Sequence, residues 1–267
     1  MKKVLINLVT HSAYKDVCDN FITLFDKNWN NCAYDFCISV IGDEIFFPEK
    51  NSIYFGKECT LPEALYNVMN NSEYDYCISF LGDAFINKKI DNIIVESLIR
   101  ELDENDVEYC NLIPKTAFRF NKKVATRNTR YISTNDSYNM SFVAFIASRE
   151  FILNEFAGKI TDLDFERKYL NRGNAKCYTY KNRVILNENL FGLIPGICAG
   201  KWDRHALSKL RKDNPEIVFT NRKKLSLCAM MKNDLIVIFQ IFASQRQRVL
   251  LKKILSKIIG MKFATEY

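Results

Sequence analysis

The first 115 residues alternate between continuous apolar runs and apolar residues at helical spacing. The runs that predict strands lie at residues 4–9, 36–41, 53–55, 76–81 and 107–113. Helical spacing marks residues 16–25 and 90–102. Continuous apolar runs are typical of strands that are covered on both faces, and their alternation with helices favours parallel pairing. The pattern therefore predicts an α/β fold of the Rossmann-like kind, with a mainly parallel sheet and flanking helices.

A further helix is predicted to begin after Thr60, in the sequence TLPE. Thr60 supplies a capping oxygen, Pro62 suits the first turn, and Glu63 can bond back to the cap residue. This capping box places a helix between two predicted strands.

One acidic residue stands at the end of the strand predicted at 76–81, in the sequence YCISFLGDAFI. Ligands of open parallel sheets bind beyond the carboxyl ends of the strands, and Gly82 lets a ligand approach. Asp83 is therefore predicted to hold a divalent metal ion or a ribose hydroxyl of a nucleotide. Alternatively, Asp83 caps a turn, because Gly-Asp after a strand is common turn chemistry.

Composition narrows the class of protein. The chain has 267 residues, of which 48% are hydrophobic and 26% charged, so it can bury the core of one main α/β body with a small appendage. Nine cysteines occur without a CxxC pair, which favours reduced thiols over a disulfide framework or a zinc site. The sequence has no glycine-rich phosphate loop of the Walker or dinucleotide type, and its two histidines argue against a Ser-His-Asp enzyme.

The apolar run that follows the N-terminal lysines is interpreted as a strand. It extends only from Val4 to Val9, and no small-residue cleavage site follows it, unlike in a secretion signal. No window of the sequence approaches the about 18 apolar residues of a membrane-spanning helix.

Positive charge is concentrated towards the end of the chain. Residues 201–267 hold 15 Lys and Arg against 5 Asp and Glu, whereas residues 1–200 hold 23 against 26. A nucleic-acid-binding protein would spread basic and aromatic residues over its main domain, but here the aromatic residues lie in apolar runs. We therefore expect no nucleic-acid partner and an anionic membrane surface instead.

The basic region ends in the sequence RQRVLLKKILSKIIGMKF at residues 246–263. At helical spacing its leucines and isoleucines form one apolar stripe, and Arg246, Lys253 and Lys257 lie opposite. A basic amphipathic helix of this kind can lie in a membrane interface. The alternative is a terminal helix that is docked on the body of the protein with its lysines in water.

Several sequence blocks occur in an order that resembles bacterial sugar transferases from capsule and lipopolysaccharide gene clusters. The blocks are DNFITLFDKNW at 19–29, LGDAFI at 81–86, SYNMS at 137–141, LDFE at 163–166 and GKW at 200–202. They span about residues 1–210, which is most of the chain. The resemblance implies a GT-A-type glycosyltransferase that uses a nucleotide-activated sugar.

The resemblance also implies a division of the chain. Residues 1–222 would form the GT-A-like domain, with a nucleotide-binding half at 1–115 and an acceptor-binding half at 116–222, and residues 223–267 would form basic amphipathic helices. Asp83 would stand in the acidic motif that meets a metal ion or the diphosphate–ribose region of the donor. Such motifs usually carry two acidic residues and this one carries one, so dependence on Mn²⁺ or Mg²⁺ stays open.

Glycosyl transfer needs a cation for the departing nucleoside diphosphate and, in an inverting enzyme, a base for the acceptor hydroxyl. Lys201 is the first candidate for the cation, and Arg204 and Lys115 are weaker candidates. Glu166 is the favoured base because it matches the family block, with Asp164 second. Two positions apart on a helix, these carboxylates point about 200° from each other, so one of them is expected to be solvated.

The residues after the first strand are candidates for contact with the nucleotide. Thr10 and Ser12 lie where a base or ribose would be bound, and His11 between them is either part of that site or a turn residue. Trp202, next to Lys201, either stacks on a sugar face or fills the core.

The expected function is transfer of one sugar from a nucleotide donor to a lipid-linked glycan in bacterial surface polysaccharide synthesis. The first candidate for the donor is a UDP-sugar. We expect a cytoplasmic protein that is peripheral at the inner face of the plasma membrane, bound through its tail. Two alternatives are a non-catalytic adaptor for anionic membranes and a nucleotidyltransferase.

Overall fold

The computed structural model describes residues 2–114, 123–133, 140–170 and 179–231, together with residues 234, 247, 250 and 254. In these ranges, eight strands form one mixed sheet in the order β3-β2-β1-β4-β8-β6-β9-β7. Its strands are β1 (Val4–His11), β2 (Asp35–Ile41), β3 (Asn51–Phe55), β4 (Tyr76–Leu81), β6 (Tyr109–Asn111), β7 (Thr129–Ser133), β8 (Ala144–Ser148) and β9 (Thr179–Leu186). The helices are α1 (Lys15–Asn28), α2 (Leu61–Asn70), α3 (Asn92–Glu104), α4 (Arg149–Glu155), α5 (Asp162–Leu170) and α6 (Arg204–Asp213).

Two small antiparallel sheets complete the described strands. In one, β5 (Ala84–Ile86) pairs with β10 (Leu193–Pro195), and in the other, β11 (Ile197–Cys198) pairs with β12 (Lys201–Trp202). Both small sheets use residues that follow β4 or precede α6 along the chain. They therefore bring the segment around residues 193–202 to the edge of the large sheet where β4 ends.

The predicted α/β class is confirmed, and the sheet has a parallel part and a mixed part. The first four strands pair in parallel: β1 lies between β2 and β4, and Val9 is in register with Ser39 and Leu81. β8 then lies antiparallel between β4 and β6. The strand predicted at 107–113 is shorter than expected, because the Asn111 side chain accepts a hydrogen bond from the Ile113 N–H at 2.9 Å and turns the chain.

Helices cover both faces of the sheet, as the buried strands require. One core contains Val17 and Phe21 of α1 together with Leu98 of α3. The other core contains Leu65 of α2 and Phe151 of α4. β1 is buried along its first seven residues, which explains its continuous apolar sequence.

The predicted start of α2 is confirmed. Thr60 Oγ1 accepts a hydrogen bond from the Glu63 N–H at 3.2 Å, and Glu63 Oε2 accepts one from the Thr60 N–H at 3.3 Å. The capping box stabilises the helix at its first turn. This end of α2 lies at the same edge of the sheet as the end of β4, because Leu61 and Leu81 line one cleft.

The chain after α6 returns to pack against α1. The Thr220 N–H donates to Asn20 Oδ1 at 2.8 Å, and Trp202 Nε1–H donates to the Thr220 carbonyl oxygen at 2.9 Å. Trp202 is completely buried and its ring stacks on Phe85 with 5.3 Å between centroids. Of the two interpretations of Trp202, the structure supports the core residue, because a buried indole has no face left for a sugar.

Candidate functional site

A cleft of about 300 Å³ opens at the carboxyl ends of the adjacent parallel strands β1 and β4. Its walls are the ends of these strands, Leu61 at the start of α2, and the turn Ala199-Gly200 between β11 and β12. Crevices at this edge of an open α/β sheet are where such folds bind ligands. The cleft therefore lies where the sequence predicted the site.

A larger hollow, of about 960 Å³, lies at the opposite, amino-terminal edge of the sheet. Several polar groups there engage one another: Lys3 pairs with Glu73 at 3.1 Å, and the Tyr74 hydroxyl donates to Asp35 at 2.7 Å. Because these groups satisfy each other, and because the topology favours the carboxyl edge, we assign the functional site to the smaller cleft.

Asp83 lies in the cleft wall, immediately after β4. Its backbone carbonyl accepts a hydrogen bond from the Gly196 N–H at 2.9 Å, which joins the turn to the chain before β11. Its side chain is half-buried, and within the described part of the chain no other residue donates a hydrogen bond to the carboxylate. Burial raises the pKa of Asp83 to about 6. Apart from a hydrogen bond with its own backbone N–H, the carboxylate has no described donor, so it can accept a hydrogen bond from a ligand, and the turn interpretation stays an alternative.

Thr10 is the second predicted site residue in the cleft. It is buried, and a β-carbon added at Gly82 would lie 3.2 Å from Thr10 Oγ1. The absence of a side chain at Gly82 thus keeps the space beside this hydroxyl open, and Thr10 and Asp83 border the same space.

His11 and Ser12 make local contacts at the end of β1. His11 lines the cleft, and its Nδ1 accepts a hydrogen bond from the Ala13 N–H at 3.1 Å, which caps the short turn that follows. Ser12 Oγ accepts a hydrogen bond from the Asp43 N–H at 3.1 Å. Ser12 therefore holds the loop after β2, and it is not among the described residues that line the cleft.

The predicted cations lie outside the described wall of the cleft. Lys201 is exposed and follows the turn Ala199-Gly200, in which both residues have positive φ angles of 48° and 74°. The Arg204 Nε–H donates to the Leu225 carbonyl oxygen at 2.6 Å, so Arg204 holds the C-terminal segment. Lys115 lies outside the described residues.

The two predicted carboxylates of α5 diverge, as their spacing required. Asp164 is exposed, and its Oδ2 accepts the Thr161 hydroxyl at 2.7 Å in a helix cap. Glu166 is half-buried, and its Oε1 accepts hydrogen bonds from the Ser141 hydroxyl at 2.9 Å and from the Phe142 N–H at 3.3 Å.

The segment held by Glu166 lies beside the end of β4. The Val143 carbonyl oxygen accepts a hydrogen bond from the Leu81 N–H at 2.8 Å. Glu166 is therefore tied to the sheet edge that carries Asp83, although neither it nor Asp164 is among the described residues that line the cleft.

Sequence reasoning missed two residues beside the cleft, Tyr14 and Arg222. Tyr14 lines the cleft, and the Arg222 guanidinium lies over its ring at 4.4 Å from the centroid. The basic sequence NRKK at 221–224 was the only available signal for Arg222, and it does not show which residue faces α1.

Among the described residues, a metal ion in the cleft would have to be held jointly by Asp83 and by groups of the substrate. No group of three or more His, Cys, Asp or Glu side chains that could hold a metal occurs among them. Asp83 offers one carboxylate, and Mg²⁺ is commonly bound through one or two carboxylates, substrate phosphates and waters.

Comparison with solved structures finds several similar chains. A cytidylyltransferase from Leptospira borgpetersenii is 9% identical, with 92% of this chain and 99% of that chain covered and a TM-score of 0.49. Staphylococcus aureus TarS is 11% identical, with a TM-score of 0.47; the match covers 99% of this chain but 49% of TarS. A protein named as a nucleotide-diphospho-sugar transferase from Desulfovibrio desulfuricans is 10% identical, with coverages of 90% and 99% and a TM-score of 0.43.

A scan against protein-family models and a search of curated proteins both find no match. With identities of 9 to 11% to the solved structures, the assignment of function rests on the geometry of the cleft.

Proposed function

We propose that the protein is a glycosyltransferase that moves a sugar from a nucleotide donor to a lipid-linked glycan acceptor. The first candidate for the donor is a UDP-sugar. One observation carries the proposal. Asp83 places a half-buried carboxylate, with no hydrogen bond from another described residue, in a cleft at the carboxyl ends of two adjacent parallel strands. A ribose hydroxyl, or a metal ion bound to a diphosphate, satisfies such a carboxylate.

The cleft residues suit a nucleotide. Thr10 and Asp83 can bind hydroxyl groups of the ribose, and the exposed Lys201 can reach phosphate oxygens from the rim. When a divalent ion accompanies the donor, Asp83 would hold it and the ion would add positive charge to the diphosphate.

Glu166 remains the favoured base and Asp164 the second candidate. In the proposed step, the acceptor oxygen forms a bond to C1 of the sugar while its proton passes to Glu166. The bond between C1 and the phosphate oxygen breaks, and the nucleoside diphosphate leaves with the electron pair of that bond. The hydrogen bond to Ser141, which ties Glu166 to the segment beside the end of β4, favours Glu166 for this role. Asp164 is less suited because its carboxylate already caps a helix.

The acceptor side of the proposal includes an anionic membrane surface. In the described part of the C-terminal tail, Leu250 and Ile254 are 59% and 41% exposed, which favours the membrane interpretation over a helix that is docked through these residues. None of the helices in the described ranges has the length and apolarity needed to cross a bilayer. The basic character of residues 201–267 supports peripheral attachment through the tail, which we propose to occur at the cytoplasmic face of the plasma membrane.

Calorimetry with UDP, with and without Mn²⁺, tests the donor part. We expect UDP to bind, and Asp83→Asn to weaken binding at least about tenfold while the protein stays folded. Absence of binding at millimolar UDP under both conditions would contradict the proposal. Deletion of residues 241–267 separates it from the adaptor alternative, because the enzyme keeps nucleotide binding without its tail.

A product assay separates the proposal from the nucleotidyltransferase alternative. Glycosyl transfer releases a nucleoside diphosphate from a nucleotide-sugar, whereas nucleotidyl transfer releases pyrophosphate from a nucleoside triphosphate. Detection of pyrophosphate with a sugar phosphate as co-substrate would favour the second activity.

A further inference from the structure

A diphosphate in the cleft would lie near the negative charge of Asp83, so a cation beside the cleft is needed to balance it. None of the described residues that line the cleft is Lys or Arg. Lys201, after the turn Ala199-Gly200, and Arg222, against Tyr14, are cations next to this lining, whereas Lys15 beside Tyr14 is paired with Asp19 at 2.8 Å. Lys201 and Arg222 differ in how firmly the protein holds them.

Arg222 is held on three sides. Its Nε–H donates to Asp16 Oδ2 at 2.8 Å, and its Nη2 donates to Asp16 Oδ1 and to the Ala13 carbonyl oxygen, both at 2.6 Å. Its guanidinium stacks on the Tyr14 ring, and its side chain is 19% exposed. The hydrogen bond from Arg222 lowers the pKa of Asp16, so the ion pair stays charged at neutral pH.

The Nη1 end of the guanidinium lies beside the cleft lining. A guanidinium has five N–H donors; the bonds to Asp16 and Ala13 use three of them, and the guanidinium also interacts with the Tyr14 hydroxyl. A β-carbon added at Gly200 would lie 4.0 Å from Arg222 Nη1 and 3.6 Å from the Tyr14 hydroxyl oxygen. Both Gly200 and Tyr14 line the cleft, so Nη1 is directed towards its border.

We propose that Arg222 binds the diphosphate of the nucleotide donor, and that Asp16 and Tyr14 position it. The nucleotide part of this inference rests on the proposed function, whereas binding of a phosphate-type anion by Arg222 does not. A guanidinium that is already fixed loses little conformational entropy on binding, and its planar donors match phosphate oxygens. The exposed side chain of Lys201 must be ordered first, which makes Lys201 the weaker ligand.

The test is calorimetry with uridine, UMP, UDP and inorganic pyrophosphate. In Arg222→Gln we expect the affinity for UDP and pyrophosphate to fall by about 10- to 100-fold, the usual effect of losing hydrogen bonds to a charged group. The affinity for uridine should change by less than about twofold, since the base and ribose do not touch Arg222. Arg211→Gln, on the exposed face of α6, removes the same charge and should change UDP affinity by less than about threefold.

Two further variants guard against a folding effect. Arg222→Gln leaves Asp16 without its partner, so the double variant Asp16→Asn/Arg222→Gln removes both charges and should remain folded, as checked by thermal unfolding. It should lose the diphosphate affinity equally. Arg222→Lys keeps the charge without the planar fork, and we expect an intermediate affinity.

The outcomes separate this inference from the proposed function. Equal UDP affinity in the wild type and in both glutamine variants of Arg222 overturns the role of Arg222 and leaves the proposed function standing. Pyrophosphate binding that depends on Arg222, without any gain from the uridine part, supports the anion site and overturns the nucleotide-sugar function. If the wild type binds neither UDP nor pyrophosphate, both are wrong.

Discussion

Asp83→Asn is expected to make the ligand-free protein more stable at neutral pH while it weakens donor binding. Burial raises the pKa of Asp83 from its ordinary value of 3.8 to about 6. Each pKa unit corresponds to about 1.4 kcal/mol, so ionising this carboxyl in the folded protein costs about 3 kcal/mol relative to the unfolded chain. A carboxylate that destabilises the fold and accepts no hydrogen bond from another described residue is typical of a ligand-binding group.

The sign of the pH dependence follows from the raised pKa. Well below the ordinary pKa of 3.8, Asp83 is protonated in the folded and unfolded states alike, and its contribution to stability is fully present. That contribution is lost as the pH rises from 3.8 through about 6, because the unfolded chain ionises this carboxyl in water whereas the folded protein must desolvate the charge. The gain in free energy of unfolding from Asp83→Asn should therefore grow from about 0.5 kcal/mol near pH 4 to about 3 kcal/mol near pH 8.

Urea denaturation of the wild type and the variant at these two pH values measures the difference. The comparison across pH is the test, because any packing difference between Asn and a protonated carboxyl contributes equally at both values. Glu58→Gln, at an exposed position before α2, serves as the control and should shift stability by less than about 0.5 kcal/mol at either pH. A gain from Asp83→Asn that does not depend on pH would refute the argument that burial, without a compensating partner, controls this carboxyl.

Three other perturbations test separate parts of the molecule. Glu166→Gln should lower kcat by about 100-fold or more with KM little changed, because the amide oxygen still accepts the two hydrogen bonds but cannot take a proton. The control Asp164→Asn should retain most of the activity. If Glu166→Gln also retains its activity, Glu166 has a structural role only. High salt should release part of the wild-type protein from anionic vesicles, and high salt should release the variant Leu250→Glu/Ile254→Glu completely. If the wild type does not bind such vesicles at low salt, the membrane role is refuted. Gly196→Ala should lower the free energy of unfolding, measured by urea denaturation, by about 1–3 kcal/mol, because its β-carbon would lie 2.5 Å from a ring carbon of Phe85. Unchanged stability would show that the core rearranges around the added methyl group.

Much of the fold was predictable because its signals are local. The strand runs, the helical repeats and the capping box of Thr60 and Glu63 each depend on residues close in sequence, and the structure contains them, with the strand predicted at 107–113 shortened to Tyr109–Asn111. The position of two cleft residues was predictable for the same reason: a residue at the end of a parallel strand lies at the carboxyl edge of the sheet, and Asp83 and Thr10 line the cleft at that edge.

The rest of the site depends on contacts between distant residues. Arg222 meets Asp16 across 206 positions, and no periodicity relates them. Glu166 reaches Ser141 across 25 positions, so its hydrogen bonds could not be read from the spacing within α5. Sequence reasoning chose Lys201 and Arg204 as cations because they adjoin a recognisable block, but position along the chain does not show which cation the fold turns towards the cleft.

The sequence by itself determined the α/β class, the order of the first strands and helices, and the acidic residue at the end of β4, since hydrophobic periodicity and capping act over a few residues. Only the tertiary structure decided that Trp202 lies in the core, that Arg222 stands beside the cleft, and that the half-buried Asp83 carboxylate accepts no hydrogen bond from another described residue. Burial and desolvation are properties of the whole packed chain: they depend on which distant segments exclude water from a group, and no local pattern contains that information.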